Sequence, residues 1–521
     1  MKFNQHIWLP LFQAYSAFAY SEQVRFAMDN FKSTCSYIGP KLAIENATVY
    51  LSFFLAAGTN LSLSENDVTC DKLHQVVSVD LCRISLYVST SNRSGINMEA
   101  WLPAKWTGRL MSLGNPGLSG CIPYDGLAYT ANLGFATVSA NNGHNGTSGE
   151  AFYNNADVLE DFAYRARRVH TGVVVGKQIS QTFYGKAHKK SYYLGCSTGG
   201  RQAGAPAFAF NNLTSMSGHF YTLTGPVNSS TYLPPSLWAV VHEDILSKCD
   251  MLDNYVNRIL EDPSLCNYAS QSLICTGSSN SSACLTPVQS ATVDGAFQPV
   301  YAADGSLVYP RMQPGSEILA SARIYSGKPF SYTVDWFRYA IYSDPTWDSA
   351  ILNETDYANA ARINPFNIET WKGDLSAVRD RGAKILHYHG LMDEVISSDN
   401  SPRYYQHVSS TMNLASAELD DFYRFFRISG MAHCSGGDGA SVIGQTIASV
   451  DSLEPQKNVL MAIVDWVENG VAPETIIGSK WANGTKSSGI EYERAHCKYP
   501  KRNVYKGEGD PKAIDSWKCI D

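Results

Sequence analysis

One pentapeptide constrains this chain more than any other feature: Gly195-Cys196-Ser197-Thr198-Gly199. It follows a short aromatic-rich stretch, residues 190–194, that predicts a buried strand. It precedes a run of small residues, 201–205, that predicts the start of a helix. A G-x-S-x-G turn between a strand and a helix holds its serine on a strained backbone with the hydroxyl exposed. The pattern therefore predicts a nucleophile at Ser197.

Two further strand–turn units lie downstream. Residues 384–390 predict a strand ending in a glycine turn that presents Asp393. Residues 422–428 predict a strand leading to a glycine-rich turn that contains His433. A serine hydroxyl needs a neighbouring base, and the base needs an orienting acid. The order serine, aspartate, histidine is that of α/β-hydrolases, so we expect an α/β-hydrolase fold with all three side chains at one edge of a sheet.

Other side chains compete for the roles of base and acid. His387 and His389 precede the acid turn and are alternatively strand residues with satisfied hydrogen bonds. Glu394 directly follows Asp393. Further acidic candidates are Asp420, Asp421 and Asp438. We favour Asp393 because it follows both a strand and a glycine turn.

Acyl transfer also needs donors for the developing oxyanion. The backbone amide of Thr198, next to the serine, is the first candidate. The glycine-rich loop at residues 114–120, with Gly117 near its centre, is the candidate for the second donor. Each such donor contributes on the order of 3 kcal/mol of transition-state stabilisation.

Several features indicate an oxidising, extracellular compartment. The first residues carry a lysine and then an apolar stretch ending Ala17-Phe18-Ala19, which predicts a signal peptide over residues 1–19. The chain has 12 cysteines, none in a C-x-x-C pair. Nine N-x-[ST] sequons point the same way, at Asn46, Asn60, Asn92, Asn145, Asn212, Asn228, Asn280, Asn353 and Asn483. We therefore expect a secreted glycoprotein.

Charge and hydropathy exclude two classes of partner. The net charge of −7 and the absence of a basic run argue against nucleic acid. No run after the N-terminus approaches the roughly 18 apolar residues of a membrane helix, so we expect no membrane partner. Only 17% of the residues are charged, which is typical of an extracellular enzyme rather than a disordered chain.

The 521 residues divide into regions of different character. Residues 221–380 contain four closely spaced cysteines, a Ser/Asn-rich patch and many aromatic and proline residues. We interpret them as a lid subdomain inserted between the serine and the acid. The expected organisation is a signal peptide (1–19), the first part of an α/β-hydrolase domain (20–220), the lid (221–380) and the second part of the hydrolase domain (381–521).

The chain resembles the fungal tannase and feruloyl esterase family, most closely its feruloyl esterase B branch. The stretches that carry the resemblance are 102–109, 114–121, 195–202, 389–393, 431–434 and 464–474. They are spread over nearly the whole predicted mature chain. The resemblance implies a catalytic triad of Ser197, Asp393 and His433.

A cysteine lies beside both the serine and the histidine, which suggests that a disulfide clamps the nucleophile to its base. The resemblance implies this Cys196–Cys434 bond directly. Spacing alone cannot choose the other partners. The family pattern implies five further pairs: Cys35–Cys82, Cys70–Cys121, Cys249–Cys266, Cys275–Cys284 and Cys497–Cys519.

The family also carries a calcium site in its lid, in a segment that corresponds to residues 249–259 here. The implied ligands are side-chain oxygens of Asp250, Asp253 and Asn257 and backbone carbonyls of Tyr255 and Ile259. Calcium prefers six to eight oxygens of this mixed kind. Three positions depart from the family: Asn257 replaces a carboxylate, and Asn254 and Arg258 replace glycines. Without the resemblance, the stretch is a solvated acidic turn.

The resemblance implies a substrate class as well. We expect hydroxycinnamoyl esters of plant cell-wall sugars, such as feruloylated arabinoxylan. Aromatic lid residues suit a flat phenolic acid, although each is alternatively part of the lid core: Tyr221, Trp238, Trp336, Phe337, Tyr339 and Tyr342. The alternatives are a tannase acting on galloyl esters and an inert secreted binding glycoprotein on an esterase scaffold.

Overall fold

A computed structural model of the chain describes residues 27–163, 168–202, 210–277 and 283–521. The predicted signal peptide (1–19) and the sequon at Asn280 lie outside these residues. The described residues form two compact units. Unit 1 contains residues 27–113, 120–146 and 168–193, and unit 2 contains residues 114–119, 147–163 and the described residues from 194 onward.

The structure contains both strands and helices. The strands are β1 (Ala47–Leu55), β2 (Asn60–Ser62), β3 (His74–Val76), β4 (Leu81–Ser89), β5 (Gly95–Pro103), β6 (Arg109–Leu113), β7 (Ala136–Ala140), β8 (Lys190–Leu194), β9 (Val300–Tyr301), β10 (Leu307–Tyr309), β11 (Ile385–Gly390), β12 (Tyr423–Ile428), β13 (Thr475–Trp481), β14 (Ile490–Cys497), β15 (Arg502–Tyr505) and β16 (Trp517–Ile520). The labelled helices are α1 (Tyr124–Asn132), α2 (Ala156–Ala163), α3 (Arg168–Tyr184), α4 (Thr198–Gln202), α5 (Phe210–Thr224), α6 (Pro235–Cys249), α7 (Pro287–Ala296), α8 (Glu317–Ser321), α9 (Ser331–Asp335), α10 (Glu354–Ile363), α11 (Ser376–Asp380), α12 (Asn400–Met412), α13 (Ser416–Leu419) and α14 (Val459–Asn469).

Unit 1 is built on a six-stranded mixed sheet in the order β1-β4-β5-β7-β6-β8. The pairs β1–β4, β4–β5 and β5–β7 are antiparallel, whereas β6 and β7 run parallel. The central strands β4 and β5 are buried along nearly their whole length. Their apolar side chains, among them Ile84, Leu86, Ile96 and Met98, belong to one cluster with Val138. The last strand in this order, β8, leads to the serine turn.

A buried ion pair ties the central strands β4 and β5 together. The Arg83 guanidinium donates to both Glu99 oxygens, at 2.6 Å from Nη2 to Oε1 and 2.9 Å from Nε to Oε2. Trp101 Nε1 donates to the same carboxylate at 3.1 Å. Glu65 adds a second carboxylate at 2.7 Å from Arg83, but its side chain is half exposed. Because Arg83 and Glu99 are shielded from water, each charge depends on the other.

Unit 2 contains the parallel pair β11 and β12. Ile385 lies opposite Tyr423, and Gly390 lies opposite Ile428, so both strands end at the same edge. Strand β8, which leads to Ser197, pairs in the six-stranded sheet instead. The expectation that all three strand ends share one sheet edge is therefore met only for the strands before Asp393 and His433. The Cys196–Cys434 disulfide joins the serine turn to the turn that follows β12.

Residues 221–380 share their core with neighbouring parts of unit 2. Trp238 and Trp336, both inside this segment, lie in one apolar cluster with Phe162, Phe210 and Ile396, which lie outside it. The Trp336 ring is 4.8 Å from that of Phe210. The predicted boundaries of the lid, 221 and 380, remain a prediction. The combination of a mixed sheet, a parallel strand pair and helices confirms the α/β class.

The structure contains six disulfides, and their pairs are those that the resemblance implies. Seven of the eight sequon asparagines within the described residues are exposed, and Asn212 is partly buried in α5. No helix among the described residues is both long enough and apolar enough to cross a membrane.

The buried ion pair of unit 1 gives a stability prediction. We expect Glu99→Gln to lower the free energy of unfolding by about 3 kcal/mol, because it leaves the buried Arg83 charge without its closest counter-charge. Glu65→Gln is the matched control on the same guanidinium, and we expect a change below about 1 kcal/mol because Glu65 is half exposed. Urea unfolding of both variants measures the difference. Equal effects would contradict the prediction.

Candidate active site

The Ser197 turn has the geometry that its motif predicts. Ser197 has φ of 57°, in the left-handed region where a residue other than glycine is strained. The Gly199 amide donates to the Cys196 carbonyl at 2.8 Å, and the Arg201 amide donates to the Ser197 carbonyl at 3.0 Å. Strand β8 ends just before this turn, and α4 begins just after it. The serine therefore lies at a sharp strand-to-helix junction.

The glycine loop of residues 114–119 lies directly against this junction. The Gly114 amide donates to the Leu194 carbonyl at 3.1 Å, and the Asn115 amide donates to Gln202 Oε1 at 3.1 Å. A Cβ on Gly199 would lie 3.0 Å from the Gly114 carbonyl carbon, so a glycine is needed for this approach. Gly117 has φ of 57°. The two oxyanion candidates, Thr198 and Gly117, thus belong to two backbone segments that are fastened together.

Arg201 anchors the helix after the serine, a role that the motif analysis missed. Its side chain is fully buried, and its guanidinium donates to the carbonyls of Phe162 and Ala163 at 3.1 Å each. It also lies 5.4 Å from the ring centroid of Phe162 and 5.7 Å from that of Phe210. The two carbonyl partners lie about forty residues upstream, so no local pattern signals them.

Asp393 lies in the turn after β11 and is almost fully buried. Its Oδ1 accepts hydrogen bonds from the amides of Val395 and Ile396, both at 2.8 Å. Its Oδ2 lies 2.8 Å from His433 Nδ1 and 3.3 Å from His389 Nε2. Burial alone would raise the pKa of this carboxyl, but the two imidazoles outweigh burial and hold its pKa well below the usual range. Asp393 therefore stays ionised.

His433 follows β12 and is held at two points. Its Nδ1 donates to Asp393, and its backbone amide donates to Glu394 Oε2 at 3.1 Å. Burial lowers the pKa of the imidazole, but the charges of Asp393 and Glu394 outweigh burial and raise it above the ordinary 6.5. Arg323, which pairs with Glu394 at 3.1 Å, acts in the opposite direction on this pKa.

The Cys196–Cys434 disulfide joins the serine turn to the histidine turn. Its two Cα atoms are 6.1 Å apart, and the bond links residues 238 positions apart in sequence. A ring nitrogen of His433 and the two sulfurs lie within 4.8 Å of one another. This is the one metal-like grouping of three His, Cys, Asp or Glu side chains among the described residues, and its cysteines are already bonded to each other. It therefore forms a clamp rather than a metal site.

The disulfide links an imidazole that can accept a proton to the turn that carries a strained serine. Since His433 Nδ1 carries the proton shared with Asp393, Nε2 is left to accept a proton. No hydrogen bond joins Ser197 to His433 among the described contacts. Such contacts are often long before a substrate binds. The chemistry that this geometry permits is nucleophilic attack by the serine with general-base assistance.

The aromatic lid residues do not all face the site. Trp238, Trp336 and Phe337 are fully buried and fill the core of unit 2. Tyr221, Tyr339 and Tyr342 are partly buried. A residue that sequence analysis did not select, Tyr332, lies against the glycine loop, since a Cβ on Gly117 would meet its ring and hydroxyl. Its ring packs edge-on against Phe330 at 5.1 Å.

The predicted cation loop, residues 249–259, contains two buried carboxylates that each have one oxygen without a hydrogen bond. Asp250 Oδ2 accepts from the Arg258 amide at 2.7 Å, and Asp253 Oδ1 accepts from the Tyr255 amide at 2.9 Å. The other oxygen of each carboxylate, Asp250 Oδ1 and Asp253 Oδ2, is buried without a hydrogen-bond partner. Burial, together with the charges of Glu261 and Asp250, raises the pKa of Asp253 to about 7. Two buried acceptors with spare lone pairs fit a hard cation.

Two residues of this loop have a backbone conformation that favours glycine. Asn254 and Arg258, where the resemblance implies glycines, have φ of 72° and 67°. The Arg258 guanidinium is exposed and pairs with Glu243 at 2.5 Å and 2.9 Å. Asn257 Oδ1 accepts from the Ile259 amide at 2.9 Å, which leaves it one further lone pair. Among the described residues, no backbone amide donates to the carbonyl of Tyr255 or of Ile259.

Comparison with known proteins places the chain among esterases. The sequence family described as "Tannase and feruloyl esterase" matches residues 82–370 and 348–520. A protein named "Probable feruloyl esterase B-2" from Aspergillus oryzae is 52% identical over 510 residues, which cover 95% of this chain and 96% of the relative.

Solved structures agree with the sequence comparison. The crystal structure of feruloyl esterase B from Aspergillus oryzae superposes with a TM-score of 0.91 at 46% identity, over 94% of this chain and 100% of that one. Tannin acyl hydrolase from Aspergillus niger shares the fold, with a TM-score of 0.71 at 18% identity over 94% of each chain. The chain therefore belongs to the tannase and feruloyl esterase family of carboxylic ester hydrolases.

Proposed function

We propose that this protein is a secreted serine esterase that hydrolyses feruloyl and related hydroxycinnamoyl esters of plant cell-wall polysaccharides. The observation that carries the proposal is the hydrogen bond from His433 to the buried Asp393. The Cys196–Cys434 disulfide joins the turn of this histidine to the turn of the strained Ser197. Relatives about half identical over nearly the full chain are named feruloyl esterase B. These observations support ester hydrolysis and favour a hydroxycinnamoyl acyl group.

The proposed cycle has two half-reactions. His433 Nε2 accepts the Ser197 proton while Oγ attacks the ester carbonyl, and the imidazolium returns this proton to the departing sugar hydroxyl. The resulting acyl-enzyme is then attacked by water, which gives one proton to His433. The imidazolium returns this proton to Ser197 Oγ as the acyl–Oγ bond breaks, and this regenerates the free serine. Asp393 stays ionised throughout and holds the imidazole tautomer. The released products are a hydroxycinnamic acid and a free sugar hydroxyl.

The proposed oxyanion hole uses backbone donors on both sides of the serine. The Thr198 amide is at the first position of α4, where helix geometry leaves an N–H without a partner inside the helix. Gly117 belongs to the loop fastened to the serine turn. Tyr332 lies against this loop, and we propose that its ring forms one wall for the flat phenolic acyl group.

We also propose that the protein is exported and glycosylated. Six disulfides leave no free cysteine within the described chain, as expected in an oxidising compartment. Exposed sequon asparagines are accessible to glycosylation, and Asn212, which is partly buried in α5, is the least accessible of those described.

The first experiment tests the function and its acyl specificity. We expect a fluorophosphonate probe to label the native protein and not Ser197→Ala, and we expect methyl ferulate to be hydrolysed faster than methyl gallate. Preference for gallate would replace the proposal with tannase activity. Absence of labelling would favour an inert binding protein, and undiminished labelling of Ser197→Ala would contradict the proposed esterase.

The raised pKa of His433 predicts a pH dependence. The imidazole accepts the serine proton only when neutral, so kcat/KM should fall as the pH falls through a pKa above 6.5. Two neighbours act on this pKa in opposite directions. Glu394→Gln should move the acidic limb to lower pH, and Arg323→Gln should move it to higher pH. Initial rates from pH 4 to pH 9 measure the limb; shifts of the same sign in both variants would contradict the assignment.

The disulfide clamp predicts a loss of activity on removal. We expect the double variant Cys196→Ala/Cys434→Ala to lose on the order of 10- to 100-fold in kcat, because a small misplacement of Ser197 relative to His433 disturbs proton transfer. The matched control is Cys497→Ala/Cys519→Ala, which removes a bond between residues of β14 and β16. If the clamp variant stays folded and fully active, the bond only stabilises the fold.

We further propose that the loop at residues 249–259 binds a structural Ca²⁺ ion. The side chains of Asp250, Asp253 and Asn257 and the carbonyls of Tyr255 and Ile259 would hold it. The ion would compensate the buried carboxylate oxygens and take no part in ester hydrolysis. A structural role is consistent with the position of the loop, which lies within the segment that the Cys249–Cys266 disulfide closes.

Calcium binding predicts a change in thermal stability. We expect Ca²⁺ to raise the Tm relative to EDTA, with a stabilisation of about 2.7 kcal/mol at 100 times the Kd. Asp253→Asn should abolish the difference, whereas Asp304→Asn, an exposed aspartate in the turn between β9 and β10, should preserve it. Arg258→Gly should enlarge it, because the change removes a positive charge that acts on the Asp250 carboxylate. A Tm that EDTA leaves unchanged in the native protein would contradict the proposal.

A further inference from the structure

Asp393 lies at the end of a chain of hydrogen bonds that the proposed cycle does not use. The chain starts at the Tyr423 hydroxyl, which is 3.0 Å from His387 Nδ1. His387 Nε2 is 3.2 Å from Ser401 Oγ, and Ser401 Oγ is 2.6 Å from His389 Nδ1. His389 Nε2 is 3.3 Å from Asp393 Oδ2. Four side chains thus connect β12, β11 and α12 to the carboxylate; we call them the Asp393 relay.

The fold places these side chains together for simple geometric reasons. His387 and His389 are two residues apart on β11, so their side chains leave the same face of the strand. Tyr423 and Phe425 are on the paired strand β12, where Phe425 lies opposite His387 and stacks against it at 4.7 Å. Ser401, in the first turn of α12, is fully buried and contacts both His387 and His389. Tyr423, Ser401 and His389 are buried, and His387 is partly buried.

The partners fix the direction of every proton. An ionised carboxylate only accepts, so His389 Nε2 carries a proton directed at Asp393. The Ile396 carbonyl, 3.3 Å from the same nitrogen, is also only an acceptor. His389 Nδ1 then accepts from Ser401, Ser401 accepts from His387 Nε2, and His387 Nδ1 accepts from Tyr423. Every donor in the relay consequently points toward Asp393.

Tyr423 and His387 keep this direction over a wide pH range. Burial and the neighbouring imidazole of His389 lower the pKa of His387 to about 3, so this ring remains neutral. Burial raises the pKa of Tyr423 well above 10, so its hydroxyl retains the proton that it donates. Tyr423 therefore keeps the proton that it donates, and the neutral His387 ring passes the same direction on to Ser401.

We propose that His389 is a positioning residue for the triad, and that Ser401, His387 and Tyr423 hold it in the tautomer that donates to Asp393. This inference rests on the proposed role of Asp393 and His433 in ester hydrolysis. His389 occupies Oδ2 beside His433, while two backbone amides occupy Oδ1, so the carboxylate cannot rotate away from the base. Its N–H also offsets part of the Asp393 charge that acts on His433.

This role has a signature that a merely structural histidine lacks. Removing the N–H at position 389 strengthens the field of Asp393 on His433, so the pKa of His433 rises and the acidic limb moves to higher pH. The relay contacts no substrate in the proposed cycle, so kcat should fall while KM remains unchanged. Restoring a donor at position 389 should reverse part of both effects.

The experiment compares a graded set of variants with methyl ferulate. We expect His389→Leu to lower kcat at least 10-fold, to leave KM within 2-fold and to raise the acidic limb by at least 0.3 pH units. His389→Gln, which retains an N–H donor, should recover part of kcat and return the limb toward the native value. Tyr423→Phe and Ser401→Ala each remove one hydroxyl with little loss of packing. They should give smaller effects of the same sign, and they test the relay if His389→Leu fails to fold.

The control is His496, a buried histidine outside the relay whose two ring nitrogens contact Ser429 and the Ala440 carbonyl. His496→Leu should lower the Tm without moving the acidic limb. An unchanged limb in all four relay variants, or an equal shift in His496→Leu, would overturn the assignment. A native protein that hydrolyses no ester would instead contradict the proposed function, so the two failures are distinguishable.

Discussion

The buried negative charge of Asp393 is the constraint on which the site depends. A carboxylate in this environment is unfavourable unless its lone pairs are filled, and four donors fill them here: two backbone amides and two imidazoles. The amides fix one oxygen, and the imidazoles share the other. Because His433 is one of these donors, the same hydrogen bond that stabilises the charge also orients the proposed base.

Much of this site could be predicted from the sequence because its signals are local. The serine turn, the strand before Asp393 and the glycine-rich turn around His433 each carry a short pattern with a known backbone requirement. The strand and glycine turn before Asp393 then distinguished it from its acidic neighbours, and the family resemblance supplied the six disulfide pairs. Each of these inferences needs only a few adjacent residues or a comparison with related chains.

The rest depends on contacts between distant parts of the chain, which no short pattern contains. His387 and His389 read equally well as ordinary strand residues, and only the position of Ser401 and Tyr423 shows how they are connected. Arg201 takes its partners from α2, about forty residues upstream. Aromatic composition likewise suggested a substrate pocket, whereas Trp238 and Trp336 fill the core.

The Cys196–Cys434 bond has a consequence for when the protein becomes active. Its two cysteines are 238 residues apart, so the serine and histidine turns are joined only after nearly the whole chain has been synthesised and oxidised. In a reducing compartment the same chain would lack this link between nucleophile and base. With the export that we propose, oxidation would complete the site, so esters inside the producing cell would meet a protein without this link and esters outside it a complete one.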